Sequence, residues 1–318
     1  MSNIFLYREV GNGNYLDCYD EIQDSLEDHF GGNLVVTRTK KTTIKKLLLK
    51  YLPVHLFYKI FSSKSKKVSI FLLMGGDFEI LLPYNLYSNR NVIYMFDAWP
   101  RNLIEIKNKA EELGVKQIFF SSQKITQYFN KFDTKISALW VPEGIKISDY
   151  KYELYQNKNI DVLEFGRKYL KFNNSVTSIL IENGYTHIYE KIPGELIFNS
   201  RKDFITGLSK AKISVCFPSN LTHPERAEDI SSMTLRYLQS MASKCLIVGT
   251  LPDEMKLLFN YCPIVEIDFE RPGEQLVQIL DDFDSYIPLI EKNYQEVSEN
   301  HTWGKRISKI IKDGELRQ

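Results

Sequence analysis

AKISVCFPSNLTHPERAEDISSMTLRYLQSMASKCLIVGT, residues 211–250, is the stretch of sequence that decides the fold. Residues 213–217 are a short apolar run that predicts a buried strand, and a polar loop of about a dozen residues follows. Apolar residues then recur at spacings of three and four from Leu235 to Ala242, which predicts a helix, and residues 245–248 predict a second strand closed by Gly249. In such a strand–helix–strand unit, ligands bind beyond the carboxyl ends of the strands, where the long loop lies.

The residues before the predicted helix suggest a site for an anion. Ser231 or Ser232 can cap a helix that begins near Met233, and its first turn then presents free N–H groups and the positive end of the helix dipole. Thr234 adds a hydroxyl, and Arg236 adds a fork of donors that suits phosphate. This segment alone leaves a second interpretation open, in which a capped surface helix stands beside a solvated loop.

The length and charge of the chain bound its class. A chain of 318 residues with 43% hydrophobic content is long enough for two domains with real cores. The net charge of +1 argues against a nucleic-acid partner. That value conceals an asymmetry, because residues 29–76 contain ten Lys and Arg residues and no Asp or Glu.

The basic stretch, residues 38–67, mixes lysines with leucines and aromatic residues. This combination suits the surface of an anionic membrane. The alternative is an amphipathic helix that packs on its own sheet and keeps its lysines in water.

Other features predict a cytoplasmic protein, peripheral on the inner face of a membrane if the basic stretch binds lipid. The four cysteines form no C-x-x-C pair, and the five histidines show no metal-ligand spacing, so we expect no metal. The N-terminus lacks the pattern of a secretory signal. No apolar run approaches the roughly 20 residues of a membrane span.

Strands and helices alternate along the chain, which favours parallel sheets covered on both faces. The predicted strands are 4–7, 34–37, 68–74, 92–96, 117–120, 138–141, 161–165, 187–190, 213–217, 245–248 and 263–267. The predicted helices include 15–29, 78–87, 102–113, 123–132, 176–183, 201–209, 254–259, 274–280, 286–297 and 303–312.

Two places in the N-terminal half are candidates for binding or catalysis. Gly11, Asn12 and Gly13 form a turn after the first strand, which is either a weak phosphate-cradle signal or a tight turn that lines a binding cleft. Asp97 follows the strand at 92–96 and can act as a base that activates a bound hydroxyl group. Its alternative role is an Asx turn or helix cap before Pro100.

Four passages resemble a known family. They are DVLEFGR at 161–167, LSKAKISV at 208–215, TLRYLQSMAS at 234–243 and HTW at 301–303. Over residues 161–312 the chain resembles the group 1 (family 4-like) glycosyltransferases of bacterial surface-polysaccharide and lipopolysaccharide pathways. The resemblance implies an α/β protein with two doubly wound Rossmann-like domains facing a central cleft, the GT-B fold. Its parts are an acceptor domain at 1–145, a linker at 146–160, a donor domain at 161–300 and a terminal helix at 301–318 that packs toward the N-terminal domain.

The same resemblance assigns roles at the donor site. Gly166 and Arg167, helped by Lys171 or Lys168, contact the diphosphate of the donor. Residues before and along the donor helix complete the site, namely Ser232, Thr234, Arg236 and Gln239. Gln239 stands where the family typically has an acid that holds sugar or ribose hydroxyls, and Ser231 stands at an earlier acidic position. Glu228 or Asp229 is a candidate replacement for the missing acid.

The function implied is a hexosyltransferase-type glycosyltransferase. It moves a sugar from a nucleoside-diphosphate sugar to a saccharide or lipid-linked acceptor without a metal, because fixed cations and helix N–H groups stabilise the leaving diphosphate. Two alternatives stay open: an epimerase of nucleotide sugars on the same fold, and a nucleotide-sugar-binding protein without turnover.

Overall fold

The structure is a computed structural model that describes residues 4–10, 17–51, 67–166, 169–192 and 195–313. The chain divides into two compact units. The first unit comprises Met1–Glu143, Arg226–Ile230 and Trp303–Gln318, and the second comprises Gly144–Glu225 and Ser231–Thr302.

The strands and helices of the described residues alternate along most of the chain, as the sequence predicts. The strands are β1 Ile4–Glu9, β2 Leu34–Thr39, β3 Val68–Met74, β4 Arg90–Phe96, β5 Val115–Phe120, β6 Ser137–Trp140, β7 Ile160–Leu163, β8 His187–Ile188, β9 Ala211–Cys216, β10 Leu246–Gly249 and β11 Val265–Glu266. The α-helices are α1 Asp17–Phe30, α2 Thr43–Tyr51, α3 Leu103–Glu112, α4 Gln123–Phe129, α5 Leu170–Glu182, α6 Arg201–Ser209, α7 Ser219–Thr222, α8 Pro224–Ala227, α9 Leu235–Ala242, α10 Met255–Leu258, α11 Pro272–Asp281, α12 Ile287–Asn300 and α13 Trp303–Asp313.

The first unit contains a six-stranded sheet in the order β2-β1-β3-β4-β5-β6, with parallel pairing throughout. Its central strands are near-continuous apolar runs because side chains on both faces are buried. Phe71 and Ile93 lie in the core on one face, and Leu72 and Tyr94 lie in the core on the other. The strand order reverses between β1 and β3, which makes their carboxyl ends the topological switch point of this sheet.

The second unit contains a five-stranded parallel sheet in the order β11-β10-β9-β7-β8. Counted from β7 in chain order, this is the same 2-1-3-4-5 arrangement as the first five strands of the other unit. Val162, Ile213 and Val215 point into a core that Phe172 of α5 and Leu276 of α11 cover. The switch point of this sheet lies between β7 and β9.

The last helix, α13, belongs to the first unit. The ring of Trp303 is fully buried and meets Tyr94 edge to face, with the ring centroids 5.7 Å apart. Ile307 and Ile310, one and two turns further along, lie in the same core cluster as Leu26 of α1. The end of the chain therefore completes the core on this face of the first sheet.

The linker region contributes a buried lysine to the second unit. The ammonium group of Lys158 donates hydrogen bonds to the carbonyl groups of Ser209 and Ala211, at 2.9 Å each, and of Ser243, at 3.1 Å. Burial lowers the pKa of this lysine, but the three carbonyls satisfy all three of its donors. One side chain thus joins the end of α6, the start of β9 and the end of α9.

The helix predicted at 78–87 is wrong. Two short 3-10 turns, Phe78–Leu81 and Tyr84–Tyr87, stand there instead. The Leu82–Pro83 peptide bond between them is cis. Proline has no N–H group for a helical hydrogen bond and blocks the preceding turn, so one continuous helix cannot form.

The predicted cap of the helix after the polar loop, Ser231 or Ser232, is also wrong. Helix α9 starts at Leu235, so that Thr234 rather than a serine occupies its N-cap position. The hydroxyl of Ser231 accepts a hydrogen bond from the Asp253 N–H group, and the Ser232 hydroxyl donates to Glu254. The polar loop before it also contains two short helical turns, α7 and α8.

Among the described residues, no helix is both long enough and apolar enough to cross a membrane.

Gly249 ends β10 where two strands approach closely. Its φ angle is +154°, and a Cβ atom at this position would lie 2.0 Å from the carbonyl oxygen of Cys216 on β9. Real Cβ atoms essentially never come so close to a backbone oxygen, so any side chain here must push the two strands apart.

We expect Gly249→Ala to lower the free energy of unfolding by about 3 kcal/mol or more, because the clash is with backbone rather than with a flexible side chain. Urea unfolding measures this value. Gly32→Ala is the matched control, since a Cβ atom there meets nothing within 4 Å, and its change stays within about 0.5 kcal/mol. Equal stabilities of the two variants would contradict the steric argument.

Candidate functional site

The switch point of the second unit is occupied by the side chain of Arg236. This residue lies in the first turn of α9. Its Nη1 group donates to the carbonyl of Phe165, at 3.3 Å, and its Nη2 group donates to the carbonyl of Phe217, at 2.9 Å. Since Phe165 follows β7 and Phe217 follows β9, the guanidinium group spans the two strand ends between which ligands bind in this topology.

Gly166 makes the close approach of Arg236 possible. The glycine has a φ angle of +77°, and a Cβ atom there would lie 3.0 Å from Cδ of Arg236. Both the left-handed backbone and the space therefore favour glycine at this position. Lys171 lies nearby in sequence, exposed on the first turn of α5. Arg167 lies outside the described residues.

The N-terminus of α9 offers hydrogen-bond donors at the same place. Thr234 is the N-cap residue, yet its side chain makes no capping bond, and its buried Oγ1 atom has no hydrogen-bond partner in the part of the chain that the structure describes. The first N–H groups of a helix also lack partners within the helix and carry partial positive charge. Hydroxyl, amides and guanidinium together can bind a phosphate group.

The side chain of Glu254 fixes the backbone before α9. No pattern in the sequence indicates a role for this residue in the site. This carboxylate is buried and accepts hydrogen bonds from the hydroxyl of Ser232, at 3.2 Å, and from the N–H group of Met233, at 3.0 Å. The predicted site residue Ser232 therefore positions the loop through Glu254. A carboxylate 21 residues downstream carries no sequence signal that joins it to this loop.

Gln239 lies one turn further along α9 and is buried. Its Nε2 group donates to the hydroxyl of Tyr150, at 3.0 Å. Tyr150 belongs to the region that the sequence predicts as a linker. The structure therefore brings Thr234, Arg236 and Gly166 together and places Gln239 against Tyr150.

Aromatic rings lie beside the switch point. Phe217 packs against Tyr169, with ring centroids 5.1 Å apart, and against Phe269, at 6.1 Å. Phe269 follows β11 and is exposed. Its ring offers a flat apolar face on which a planar group can stack.

A histidine–carboxylate pair lies directly after β7. Glu164 and His187 are joined by a 3.0 Å contact between Oε1 and Nε2, and the other ring nitrogen of His187 lies 3.1 Å from the Thr177 hydroxyl. The histidine side chain is completely buried. Its contacts fix the backbone that leads into Gly166, and no spacing in the sequence points to this pair.

The switch point of the first unit carries a different set of groups. Glu9 ends β1 and Asp77 follows β3, and the ammonium group of Lys41 bridges them at 2.9 and 2.6 Å. Asp97 follows β4 with a φ angle of +49° and is partly buried. The strand ends thus bring carboxylates and a lysine together at one edge of the sheet.

Tyr19 of α1 faces the same groups. Its hydroxyl is buried without a hydrogen-bond partner among the described residues. Burial raises the pKa of this phenol, and the nearby thiol of Cys18 and the carboxylates of Asp77, Glu9 and Asp97 raise it further. The neutral hydroxyl can therefore donate to a bound oxygen atom. Gly11, Asn12 and Gly13 lie outside the described residues.

Residues Arg226–Ile230 belong to the first unit. Ile230 is buried in its core, and the guanidinium of Arg226 lies over the ring of Trp99, at 5.2 Å. The carboxylate of Asp229 pairs with Lys124 at 2.5 Å and accepts a hydrogen bond from Tyr128 at 2.8 Å. Asp229 is therefore already bound within the first unit, which gives no support to the hypothesis that it replaces the missing acid.

Two further observations concern possible binding sites. Among residues 4–10, 17–51, 67–166, 169–192 and 195–313, no group of three or more His, Cys, Asp or Glu residues can hold a metal ion. A groove of about 430 Å³ lies where β5 and β6 begin, lined by residues that include Lys116 and Thr134. That edge is opposite the carboxyl ends of the strands, so the groove is not the site that the topology predicts.

No protein-family model matches the chain, and no curated protein matches it either. Solved structures do resemble it. HepE from Anabaena, in complex with UDP and glucose, has a TM-score of 0.64 at 10% identity, and the similarity covers 99% of this chain and 100% of HepE. Sucrose-phosphate synthase from Thermosynechococcus elongatus has a TM-score of 0.64 at 10% identity, over 98% of each chain.

A third similar structure is the UDP-forming α,α-trehalose-phosphate synthase from Burkholderia xenovorans. Its TM-score is 0.58 at 9% identity, and the similarity covers 99% of this chain and 98% of that one. These proteins are glycosyltransferases of the GT-B fold. At such low identity the similarity shows the fold alone, and it confirms the predicted class of two doubly wound α/β halves.

We expect Glu254→Gln to lower the free energy of unfolding by about 1–3 kcal/mol. The buried amide nitrogen of the glutamine would face either the Ser232 hydroxyl or the Met233 N–H group, and it cannot accept a hydrogen bond from either donor. Urea unfolding measures the change, and hydrogen exchange reports the protection of the Met233 amide. Glu266→Gln, on the exposed side of β11, is the control and leaves both values unchanged. If the Glu254→Gln variant is as stable and as protected as the native chain, Glu254 does not fix the loop.

Proposed function

We propose that the chain is a glycosyltransferase that transfers a sugar from a nucleoside-diphosphate sugar to a saccharide or lipid-linked acceptor. In this proposal the second unit binds the donor and the first unit binds the acceptor. The enzyme is cytoplasmic and works at the inner face of a membrane when its acceptor is lipid-linked.

One observation carries the proposal: the N-terminus of α9 and the guanidinium of Arg236 meet at the switch point of the second sheet. A helix N-terminus and an arginine fork both favour phosphate oxygens. Arg167 and Lys171, which lie in sequence just before and just inside α5, are the further cations that we assign to the diphosphate. The exposed ring of Phe269 gives the nucleobase a surface on which to stack.

The proposed chemistry depends on the charge that develops on the leaving group. When the bond to the anomeric carbon breaks, the nucleoside diphosphate takes the electron pair and gains negative charge. Arg236 and the N–H groups of α9 are fixed donors that stabilise this charge without reorganising, and Arg167 adds a further cation. For this reason we propose that no metal is required.

The groups at the strand ends of the first unit suit hydroxyl groups. Carboxylates accept hydrogen bonds, and a lysine and a neutral phenol donate them, so that Glu9, Asp77, Lys41 and Tyr19 supply both kinds of partner. In the proposed reaction Asp97 removes the proton from the attacking acceptor hydroxyl. We also assign Gly11, Asn12 and Gly13 to acceptor binding.

The finer family assignment is part of the proposal. The four passages that resemble group 1 (family 4-like) enzymes of surface-polysaccharide and lipopolysaccharide synthesis fall on β7 and the residues after it, on the end of α6 and β9, on α9, and at the start of α13. UDP is the first nucleotide to test, because the similar HepE has been solved with UDP and with UDP-glucose.

A second candidate function is nucleotide-sugar binding without turnover. The position of Gln239 favours it, since an amide bound to Tyr150 replaces the acid of the related motif. Donor binding without any transfer or hydrolysis would identify this alternative.

The protein is screened without metal against UDP, GDP, CDP, ADP and dTDP. We expect UDP to raise the melting temperature by about 5 °C at a concentration a hundredfold above its Kd. Arg236→Ala and Arg167→Ala abolish the shift because each removes hydrogen-bond donors that bind the diphosphate. Differential scanning fluorimetry measures it.

Two variants guard against loss of folding as the explanation. Thr234→Val keeps the shape of the side chain and removes only its hydroxyl, which has no hydrogen-bond partner among the described residues. We expect this variant to weaken UDP binding about fivefold or more. Arg271→Ala removes an exposed arginine of the same unit and leaves the shift unchanged. If no nucleotide shifts the native protein, the donor site is misassigned.

We expect Asp97→Asn to reduce sugar transfer by about a hundredfold to ten-thousandfold, because the amide cannot accept the proton. Asparagine tolerates a positive φ angle, so the fold at this position is kept. Transfer of radiolabelled sugar to candidate acceptors measures the rate.

The UDP-induced shift in melting temperature is measured for the same Asp97→Asn variant, and we expect it to equal that of the native protein. Asp133→Asn, in the loop before β6, is the control. It keeps both the native rate of sugar transfer and the native UDP-induced shift in melting temperature. Native transfer rates for Asp97→Asn would exclude this carboxylate as the base.

A further inference from the structure

Helix α2 presents an apolar face to solvent. Ile44, Leu47, Leu48 and Tyr51 are 69%, 50%, 38% and 70% exposed. Their spacing of three, four and seven residues places them on one side of the helix, as a continuous stripe. Single exposed apolar residues are normal, but a stripe of four marks a surface that binds something.

The opposite side of α2 holds the helix on the first unit. Leu49 is buried in the core of that unit, and the ammonium group of Lys45 donates to the Thr39 hydroxyl at 2.7 Å and lies over the ring of Tyr84. Because these contacts fix the inner side, the apolar stripe cannot turn inward without breaking them.

Basic residues flank the stripe. Lys40, Lys46 and Lys50 are exposed, and residues 29–76 contain no acidic residue. Lys46 has one long contact, 3.6 Å, with Glu79, and the ammonium group of Lys50 lies over the ring of Tyr51. Lys46 and Lys50, four residues apart on α2, therefore place positive charge along one side of the apolar stripe. Residues 52–66, the rest of the basic stretch, lie outside the described residues.

We propose that this face of α2, defined by Ile44, Leu47, Leu48 and Tyr51, docks the protein on an anionic lipid bilayer, together with Lys46 and Lys50 of the same helix and Lys40 shortly before it. Apolar side chains enter the boundary between headgroups and acyl chains, and the lysines pair with lipid phosphates. An aromatic residue such as Tyr51, with an apolar ring and a polar tip, suits that boundary.

The charge pattern favours a bilayer over the other partners. A second copy of the chain would bring two lysine-bearing faces of the same sign together, at an electrostatic cost. Nucleic acid would satisfy the lysines but offers little to cover Ile44, Leu47 and Tyr51 in the centre. An anionic bilayer is complementary to both parts of the surface.

The test measures co-sedimentation of the full chain with vesicles of phosphatidylcholine, alone and mixed with phosphatidylglycerol. The native protein binds the mixed vesicles and binds neutral vesicles at least tenfold more weakly, and added salt weakens the binding. The double variant Leu47→Glu/Tyr51→Glu loses at least tenfold in affinity. Lys40→Gln/Lys50→Gln loses about 25-fold, or about fivefold for each lysine.

Ile104→Glu is the matched control, since Ile104 is an equally exposed apolar residue on α3 beside Glu105. It leaves vesicle binding unchanged, and circular dichroism confirms that all variants are folded. Vesicle binding does not depend on the proposed transferase activity, so the UDP-induced shift can fail or succeed independently.

Three results would overturn the proposal. The first is the absence of binding to anionic vesicles, or binding that the α2 variants do not change. The second is a native dimer in sedimentation velocity that Leu47→Glu/Tyr51→Glu separates, without vesicle binding. The third is binding to single-stranded RNA that depends on the lysines and is stronger than binding to vesicles.

Discussion

The carboxyl ends of β7 and β9 in the second unit are held together by one side chain. Arg236 gives two of its donors to the carbonyls of Phe165 and Phe217, and a Cβ atom at Gly166 would lie only 3.0 Å from its Cδ atom. Neighbouring parallel strands at a switch point lead to connections that leave on opposite faces, which opens a crevice between the strand ends. An arginine at the start of α9 fills it and keeps its positive charge there.

The strands and their parallel arrangement could be predicted because buried parallel strands are short runs of apolar residues with few alternatives. The run at 68–74 has the same bounds in the sequence and in the structure. Helix α6 was also predicted with its observed bounds, and in the structure Ser200 caps its first turn by accepting a hydrogen bond from the Asp203 N–H group. At 78–87 the apolar spacing suggested a helix, and Pro83 prevented it.

The contacts that fix the candidate sites could not be predicted from local patterns. Glu254 meets Met233 across 21 residues, and Lys158 meets Ser243 across 85. Local propensity carries no information about such pairs, which exist only because the sheet brings distant segments together. Arg226–Ile230 illustrates the same limit, because polar residues of a loop between β9 and α9 lie in the first unit.

The two units show how one topology supports different chemistry. Both sheets have the same order at the switch point, so the fold decides where a ligand binds. The side chains decide which ligand it is. At the second switch point Arg236 and the hydroxyl of Thr234 provide donors, which suits an anion. At the first, Glu9 and Asp77 share Lys41, and a set that both accepts and donates hydrogen bonds suits neutral hydroxyl groups. A sugar transferase needs one site of each kind, and it is this difference in charge between two similar sheets that supports the proposed roles.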